Sequence, residues 1–451
     1  MTWENIISHR RTGSLSMKEE QRTDFQRDYD RLIFSSAFRR LQNKTQVFPL
    51  PGSTFVHNRL THSLEVAGVG RSLGKMVGTV IAKEHCLNGE AQLFYRYDLA
   101  NVIAAASLAH DIGNPAFGHS GEDAISDYFR TREASLKSYF SAVEWAELCD
   151  FEGNANTFRI LTHHFQGKST GGYRLTYSTL AAVLKYPCEQ AAVNRASAHR
   201  KKYGVFLSER DTMRALAQEV GMLPQEEDPL VYFRHPFVYL TEAADDICYR
   251  IIDLEDAQRL GIVSYRVTEE LFLSLLNSFG KRGDFERIKG ELKRIGDKNE
   301  KAGYLRAKVV NYLVQASSEV FLDHREAILQ GTWNNTLMKE VARSHPVLDH
   351  IEKLSVEQIY SHDTVAHIEL AGYHVLSSIL DLFVPAVLSP EGSRSSKEKT
   401  IVMMLPEHYR PLGQSAYDDV RLVLDYISGM TDLYATEFYR NAFGFDIPKH
   451  R

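Results

Sequence analysis

Leu108-Ala109-His110-Asp111-Ile112-Gly113-Asn114-Pro115 closes an apolar helical pattern by delivering an adjacent histidine and aspartate to a Gly-Pro break. Neighbouring residues cannot share a helix face, so His110 and Asp111 reach one ligand only if the helix ends there, and Gly113 with Pro115 supplies that end. Outward from this stretch, a lone histidine lies upstream in Arg59-Leu60-Thr61-His62-Ser63, and an acidic pair lies downstream in Glu242-Ala243-Ala244-Asp245-Asp246-Ile247. Imidazole nitrogen with carboxylate oxygen suits a divalent first-row metal that activates water, and converging helices make such a site rigid. The alternative for Asp111 is to receive backbone N–H groups at the break, but a buried His-Asp pair needs a partner. Spacing leaves open which of Asp245 and Asp246 is the ligand.

Apolar residues recur at three and four positions from Phe25 to Leu41, His62 to Ile81, Leu99 to His110 and Val238 to Ala257, and again from Leu305 to Val320, Ile368 to Phe383 and Val420 to Phe438. Strand-like alternation is scarce; Tyr173 to Tyr177, after Gly171-Gly172, is the best hairpin candidate. The expected class is therefore all-α with at most a small β-hairpin. The polar segments Pro187 to Val205 and Leu388 to Lys399 read as surface loops. All candidate metal ligands precede residue 260, so we expect a catalytic core over residues 1–260, with residues 261–451 packing on it and completing its pocket.

The chain has 451 residues, 43% of them hydrophobic, which is ample for a large core or two domains. A formal net charge of −5 argues against binding dominated by electrostatic attraction to nucleic acid or membrane, so a polyanionic ligand has to be held by a few placed arginines and lysines. Cys86, Cys149, Cys188 and Cys248 are scattered without metal or disulfide spacing. With no signal-like N-terminus and no uninterrupted apolar run of membrane-spanning length, the expected setting is cytoplasmic and away from membranes.

Arg59 and His62 are three apart, which puts a cation beside the metal on one helix face. His119 and Glu122 stand three apart at an expected helix start, where a carboxylate could orient an imidazole that moves a proton; the plainer reading makes Ser120 a cap and Glu122 a first-turn acid. Asp245, Tyr249 and Asp253 line one stripe. Phe38 to Val47, including Gln46, mixes cations and amides in the way that phosphate and sugar recognition requires. No glycine-rich phosphate loop is present.

At these residues the chain resembles the HD-domain deoxynucleoside triphosphate triphosphohydrolases, most closely the bacterial deoxyguanosine triphosphate triphosphohydrolases. The similarity rests on the blocks Phe38 to Pro49, Arg59 to Ser63, His110 to Pro115, Phe117 to Glu122, Phe151 to Ala155, Glu242 to Ile247 and Asp425 to Tyr434. It implies an HD-type helical bundle that releases a deoxynucleoside and intact triphosphate. Carried over, the metal ligands are His62, His110, Asp111 and Asp245, and the catalytic pair is His119 and Glu122. Arg59 binds phosphate, Gln46 and Asp253 read the sugar 3′ hydroxyl, and Tyr249 and Tyr373 sit around phosphate and sugar. The implied cofactor is a divalent metal ion, Mn or Mg foremost, with Fe, Co, Ni and Zn accepted by the same ligands. A deoxynucleoside triphosphate substrate and a homo-oligomer are implied, and an effector nucleotide is left open. No family motif is recognised in residues 123–150 or 187–210.

Two other readings keep the residues and change the role. One is a phosphomonoesterase or phosphodiesterase on another nucleotide. The other is a nucleotide or single-stranded nucleic-acid-binding regulator whose metal site is structural or inactive; the basic tracts His9-Arg10-Arg11 and His199-Arg200-Lys201-Lys202 leave binding of single-stranded DNA open as a second activity.

Overall fold

The computed structural model describes residues 1–13, 21–48, 55–167 and 170–446, so Pro49 of the first family block lies outside the described residues. Among these residues the regular structure is helical apart from one two-stranded antiparallel sheet, Pro224–Glu227 against Leu230–Tyr232.

Two helices set the frame of the N-terminal half. Helix Arg59–Glu84 starts at Asn58, whose side chain accepts from Thr61 N while Thr61 Oγ1 accepts from Asn58 N, a reciprocal cap that fixes where the helix begins. Helix Leu99–Ala109 packs along it at very short range. Gly70, Gly74 and Gly78, spaced by four, make that approach: a Cβ on Gly78 would sit 2.1 Å from Tyr95 O, and one on Gly74 2.9 Å from Ala100 Cα. Leu99, Val102, Ile103 and Leu108 are fully buried against this frame, each contributing about 1.5–3 kcal/mol relative to exposure.

Helix Pro236–Arg259 lies across both and also packs on helix Lys298–Asp323, so one core runs through the helices on either side of residue 260. A second core gathers helix His119–Thr131, helix Asp363–Leu388 and helix Ala416–Ser428. Helix Asp363–Leu388 is long and apolar enough to cross a membrane by length and composition. Its C-terminal half, with Leu376, Ile379, Leu380 and Phe383 fully buried, serves instead as the axis of this second core.

Several expected elements differ in detail. The pattern from Phe25 to Leu41 is two helices, Asp24–Ile33 and Ser36–Arg40, because Ser35 caps the second by accepting from Phe38 N. The pattern from Val420 to Phe438 likewise breaks at Gly429 to Thr431, where Thr431 caps helix Asp432–Ala442. Tyr173 to Tyr177 forms no hairpin. Gly171 and Gly172 do turn with positive φ, but Thr176 is held by Asp28 and caps helix Tyr177–Val183. Residues 187–205 carry no helix beyond short turns, yet Cys188, Tyr203 and Val205 are buried because Cys188 bridges to Val231 of the sheet. Residues 396–399, expected in a loop, open helix Ser396–Met404.

Candidate active site

The apolar Leu99 helix ends at Ala109, and the chain turns through His110 to Asn114. Gly113 is required there, since a Cβ would lie 2.1 Å from Thr157 N on helix Gly153–Thr162. This turn brings His110 against His62, the ring centroids 5.4 Å apart. From the Pro236 helix, Asp245 Oδ1 reaches His62 Nε2 at 3.2 Å and His110 Nε2 at 3.4 Å. Of the acidic pair it is Asp245 that meets the imidazoles; Asp246 faces the field of Lys185 and Glu242.

His62, His110 and Asp245 form a group whose ligand atoms all lie within 4.8 Å of one another, and separations of roughly 3 Å are those of neighbouring ligands around a cation at about 2.1 Å. His110 Nδ1 is bonded to Ser107 O at 2.7 Å, which orients Nε2 into the group, where it is buried without a hydrogen-bond partner. Burial opposes charge on His110, but the carboxylates of Asp111 and Asp245 outweigh it and pull its pKa up to about 9. Asp245 is held well below the carboxylate range: burial would raise it, and the two histidines prevail. The pocket is built for positive charge, and these donors fit a divalent metal. Asp111 stands beside the group, Oδ1 3.6 Å from His110 Nε2, but its oxygens are engaged by Arg59 at 2.7 Å and by Asn114.

His119 and Glu122 are paired as their spacing suggested, His119 Nδ1 lying 2.7 Å from Glu122 Oε2. The other carboxylate oxygen accepts from Gly153 N at 2.7 Å, at the N-terminus of the Gly153 helix, so Glu122 is fixed from both sides. Its bond raises the pKa of His119, against the effect of burial. The His119 side chain is 79% exposed, facing into the cavity mouth. Ser120 is not the cap; its hydroxyl donates to Phe117 O, and the helix starts from Phe117 and Gly118, both at positive φ. Gly118 is required by its backbone, whose φ of 63° with ψ of −131° is a conformation that residues with a Cβ rarely adopt.

All these groups line one cavity of about 640 Å³, together with Gln46, whose buried Oε1 has no partner, and Tyr249. Burial pushes the Tyr249 hydroxyl up to about 12, so it remains neutral. Asp253 lies one layer back: Tyr360 stacks on Tyr249 at 5.4 Å and donates to Asp253 Oδ2 at 3.0 Å, placing Tyr360 at the wall. Tyr373 is outside the lining, its hydroxyl donating to Asp127 at 3.0 Å.

The cations that the sequence left unplaced are Lys185, Lys201 and Lys202. Burial opposes the charge of Lys202, but Glu152 and Glu122 outweigh it, and Lys202 Nζ sits 3.0 Å from Glu152. Half of the basic tract thus turns into the cavity, while His199 and Arg200 are spent on Gln225 and Glu226 of the sheet. The signal for Lys201 and Lys202 was in the sequence, but read as a surface tract; nothing local marks Lys185 or Tyr360.

Comparison with known proteins identifies the family. Residues 59–196 match the HD domain, and residues 342–441 match the phosphohydrolase-associated domain. A Synechocystis protein named deoxyguanosinetriphosphate triphosphohydrolase-like is 39% identical over 99% of this chain and 100% of its own length. A Pseudomonas aeruginosa protein of the same name is 36% identical over 99% and 100%. The deoxyguanosinetriphosphate triphosphohydrolase of Klebsiella pneumoniae is 32% identical over 92% and 93%. Full-length similarity at this level, on a helical fold that gathers the HD residues, makes this chain an enzyme of the HD-domain deoxyguanosinetriphosphate triphosphohydrolase family.

Proposed function

We propose that this enzyme hydrolyses deoxynucleoside triphosphates, dGTP foremost, to the deoxynucleoside and intact inorganic triphosphate. The observation that carries the reading is one cavity that combines a metal-ligand group, a histidine–carboxylate pair and several cations; the named substrate of the relatives supplies the nucleotide. His62, His110 and Asp245, with Asp111 beside them, would hold a divalent cation, which when bound polarises phosphate and lowers the pKa of water. Arg59, Lys185 and Lys202 bind and orient the phosphate chain, placing positive charge where negative charge gathers on the α-phosphate. His119 holds a proton on its ring for the leaving 5′ oxygen, and Glu122 keeps that ring oriented and protonated. Gln46 and the Tyr360–Asp253 pair receive the sugar.

Elemental analysis and turnover of His110→Ala test the metal assignment together. The variant should lose bound metal and dGTP hydrolysis in parallel, because one missing imidazole opens the ligand set. Full activity in a metal-free variant would refute the assignment.

A further inference from the structure

Asp432 opens helix Asp432–Ala442, where an acid in the first turn ordinarily serves the helix's own amide N–H groups. Here the side chain is buried, and both of its oxygens are taken by backbone that is distant in sequence. Oδ2 accepts from Thr45 N at 2.8 Å, and Oδ1 accepts from Phe117 N at 2.9 Å. Thr45 and Phe117 both line the catalytic cavity, on two different arms of it.

Each arm carries a group that faces the cavity. Thr45 is followed by Gln46, whose buried Oε1 has no partner, and Thr45 itself bridges to Asn58 at the start of the Arg59 helix. Phe117 lies two residues before His119 and holds a φ of 62°, a left-handed conformation that a residue with a side chain keeps only where its surroundings impose it. Two contacts impose it. One is the bond from Phe117 N to Asp432; the other is the phenyl ring, which packs on Gly372 so closely that a Cβ there would lie 2.4 Å from Phe117 Cγ. Lys44, buried beside Thr45, adds a second tie by donating to Ser428 O at 2.8 Å and to Asn114 O. Residues 428–432 thus hold together the Gln46 arm, the turn that follows His110 and the turn that precedes His119. The carboxylate joins the first of these to the third, and an amide is no substitute, since its Nδ2 would meet one of the N–H donors with another donor.

We propose that Asp432 is a positioning residue for both ends of the reaction, an assignment that rests on the roles proposed for Gln46 and His119. It fixes the separation of those two residues, so that the 3′ hydroxyl and the leaving 5′ oxygen are met in one substrate pose. The test compares Asp432→Asn with wild type in the full chain, once metal content and Tm show the variant folded and loaded. The substrates are dGTP, its dideoxy analogue, and dGTP with sulfur in place of the bridging 5′ oxygen. A thiol ionises near pH ~8.5, so the sulfur analogue leaves as a thiolate with little need of a proton donor. Asp432→Asn should lose at least about tenfold in kcat on dGTP but less than about threefold on the sulfur analogue. Its preference for dGTP over the dideoxy analogue in kcat/KM should shrink at least about threefold. Thr431→Ala, which removes the cap of the same helix, is the control for simple damage: Tm falls and both comparisons stay at wild-type values. Equal losses on the oxygen and sulfur substrates overturn the His119 half, and an unchanged 3′-hydroxyl preference overturns the Gln46 half. If Asp432→Asn does not fold, Asp432→Ser, smaller and still an acceptor, is compared in its stead; if neither folds, Asp432 is structural and the positioning is overturned. His119→Ala, run on the same oxygen and sulfur pair, separates the two readings. It should spare the sulfur analogue; failure to do so refutes the proton-donor role and the His119 half with it, while the dideoxy comparison still decides the Gln46 half.

Discussion

At the scale of single residues, the proton-transfer pair gives the sharpest expectation. Glu122 raises the pKa of His119 by accepting its hydrogen bond, so the protonated ring persists to higher pH than an unpaired imidazole would. A general acid works only while protonated, so activity should fall as pH rises through that raised value. In Glu122→Gln the fall should move to lower pH, and His119→Ala should keep its metal and lose about 10²- to 10⁴-fold in kcat. A pH–rate profile with the falling limb unmoved in Glu122→Gln would assign the pair a structural role. Gln46 gives a second expectation. Its buried Oε1 lacks a partner, and an unmet buried acceptor costs about 1–3 kcal/mol, so a substrate bearing the 3′ hydroxyl should be preferred over its dideoxy analogue. Gln46→Ala should shrink that preference about tenfold in kcat/KM, corresponding to about 1.4 kcal/mol; an unchanged ratio would remove Gln46 from sugar recognition.

At the scale of elements, the catalytic geometry depends on how the Arg59 helix is held to the Pro236 helix. Asp256, three turns beyond Asp245, accepts from His57 N at 2.8 Å and pairs with His57 Nδ1 at 2.9 Å, while Glu65 takes Nε2 at 3.1 Å. Burial opposes charge on His57, but these two carboxylates outweigh it and carry its pKa up to about 10. A folded-state pKa raised above the unfolded value of about 6.5 stabilises fully below that value and progressively less as pH rises through 10. Asp256→Ala should cost about 1–3 kcal/mol near pH 6, since it strips the buried His57 ring and His57 N of their Asp256 acceptor and leaves the ring to Glu65 alone. The deficit should narrow as pH approaches 10; chemical denaturation at several pH values reads it, and a deficit independent of pH would refute the pairing. The same scale shows what the sequence made legible. Helices with long apolar periodicity, those of His62, His110 and Asp245, were readable because burial on one face is a local property. Breaks were not: Ser35 and Thr431 end helices by capping chemistry inside patterns that periodicity joins. The hairpin was misplaced because Thr176 answers to Asp28, far away in sequence.

At the scale of the whole molecule, the cavity is assembled from segments between Thr45 and Glu369, and that explains which of its residues were hidden. Motif residues announce themselves by type and order, whereas Lys185 and Tyr360 acquire a role only when two cores bring distant segments together. The central claim is that this cavity directs water to the α-phosphorus and releases triphosphate whole. The direct measurement is hydrolysis of dGTP by the metal-supplemented enzyme in ¹⁸O-water, with products resolved by ion-exchange chromatography and weighed by mass spectrometry. The account predicts deoxyguanosine free of label and intact inorganic triphosphate carrying ¹⁸O. Label in the deoxynucleoside, or release of pyrophosphate or orthophosphate in place of triphosphate, would contradict it.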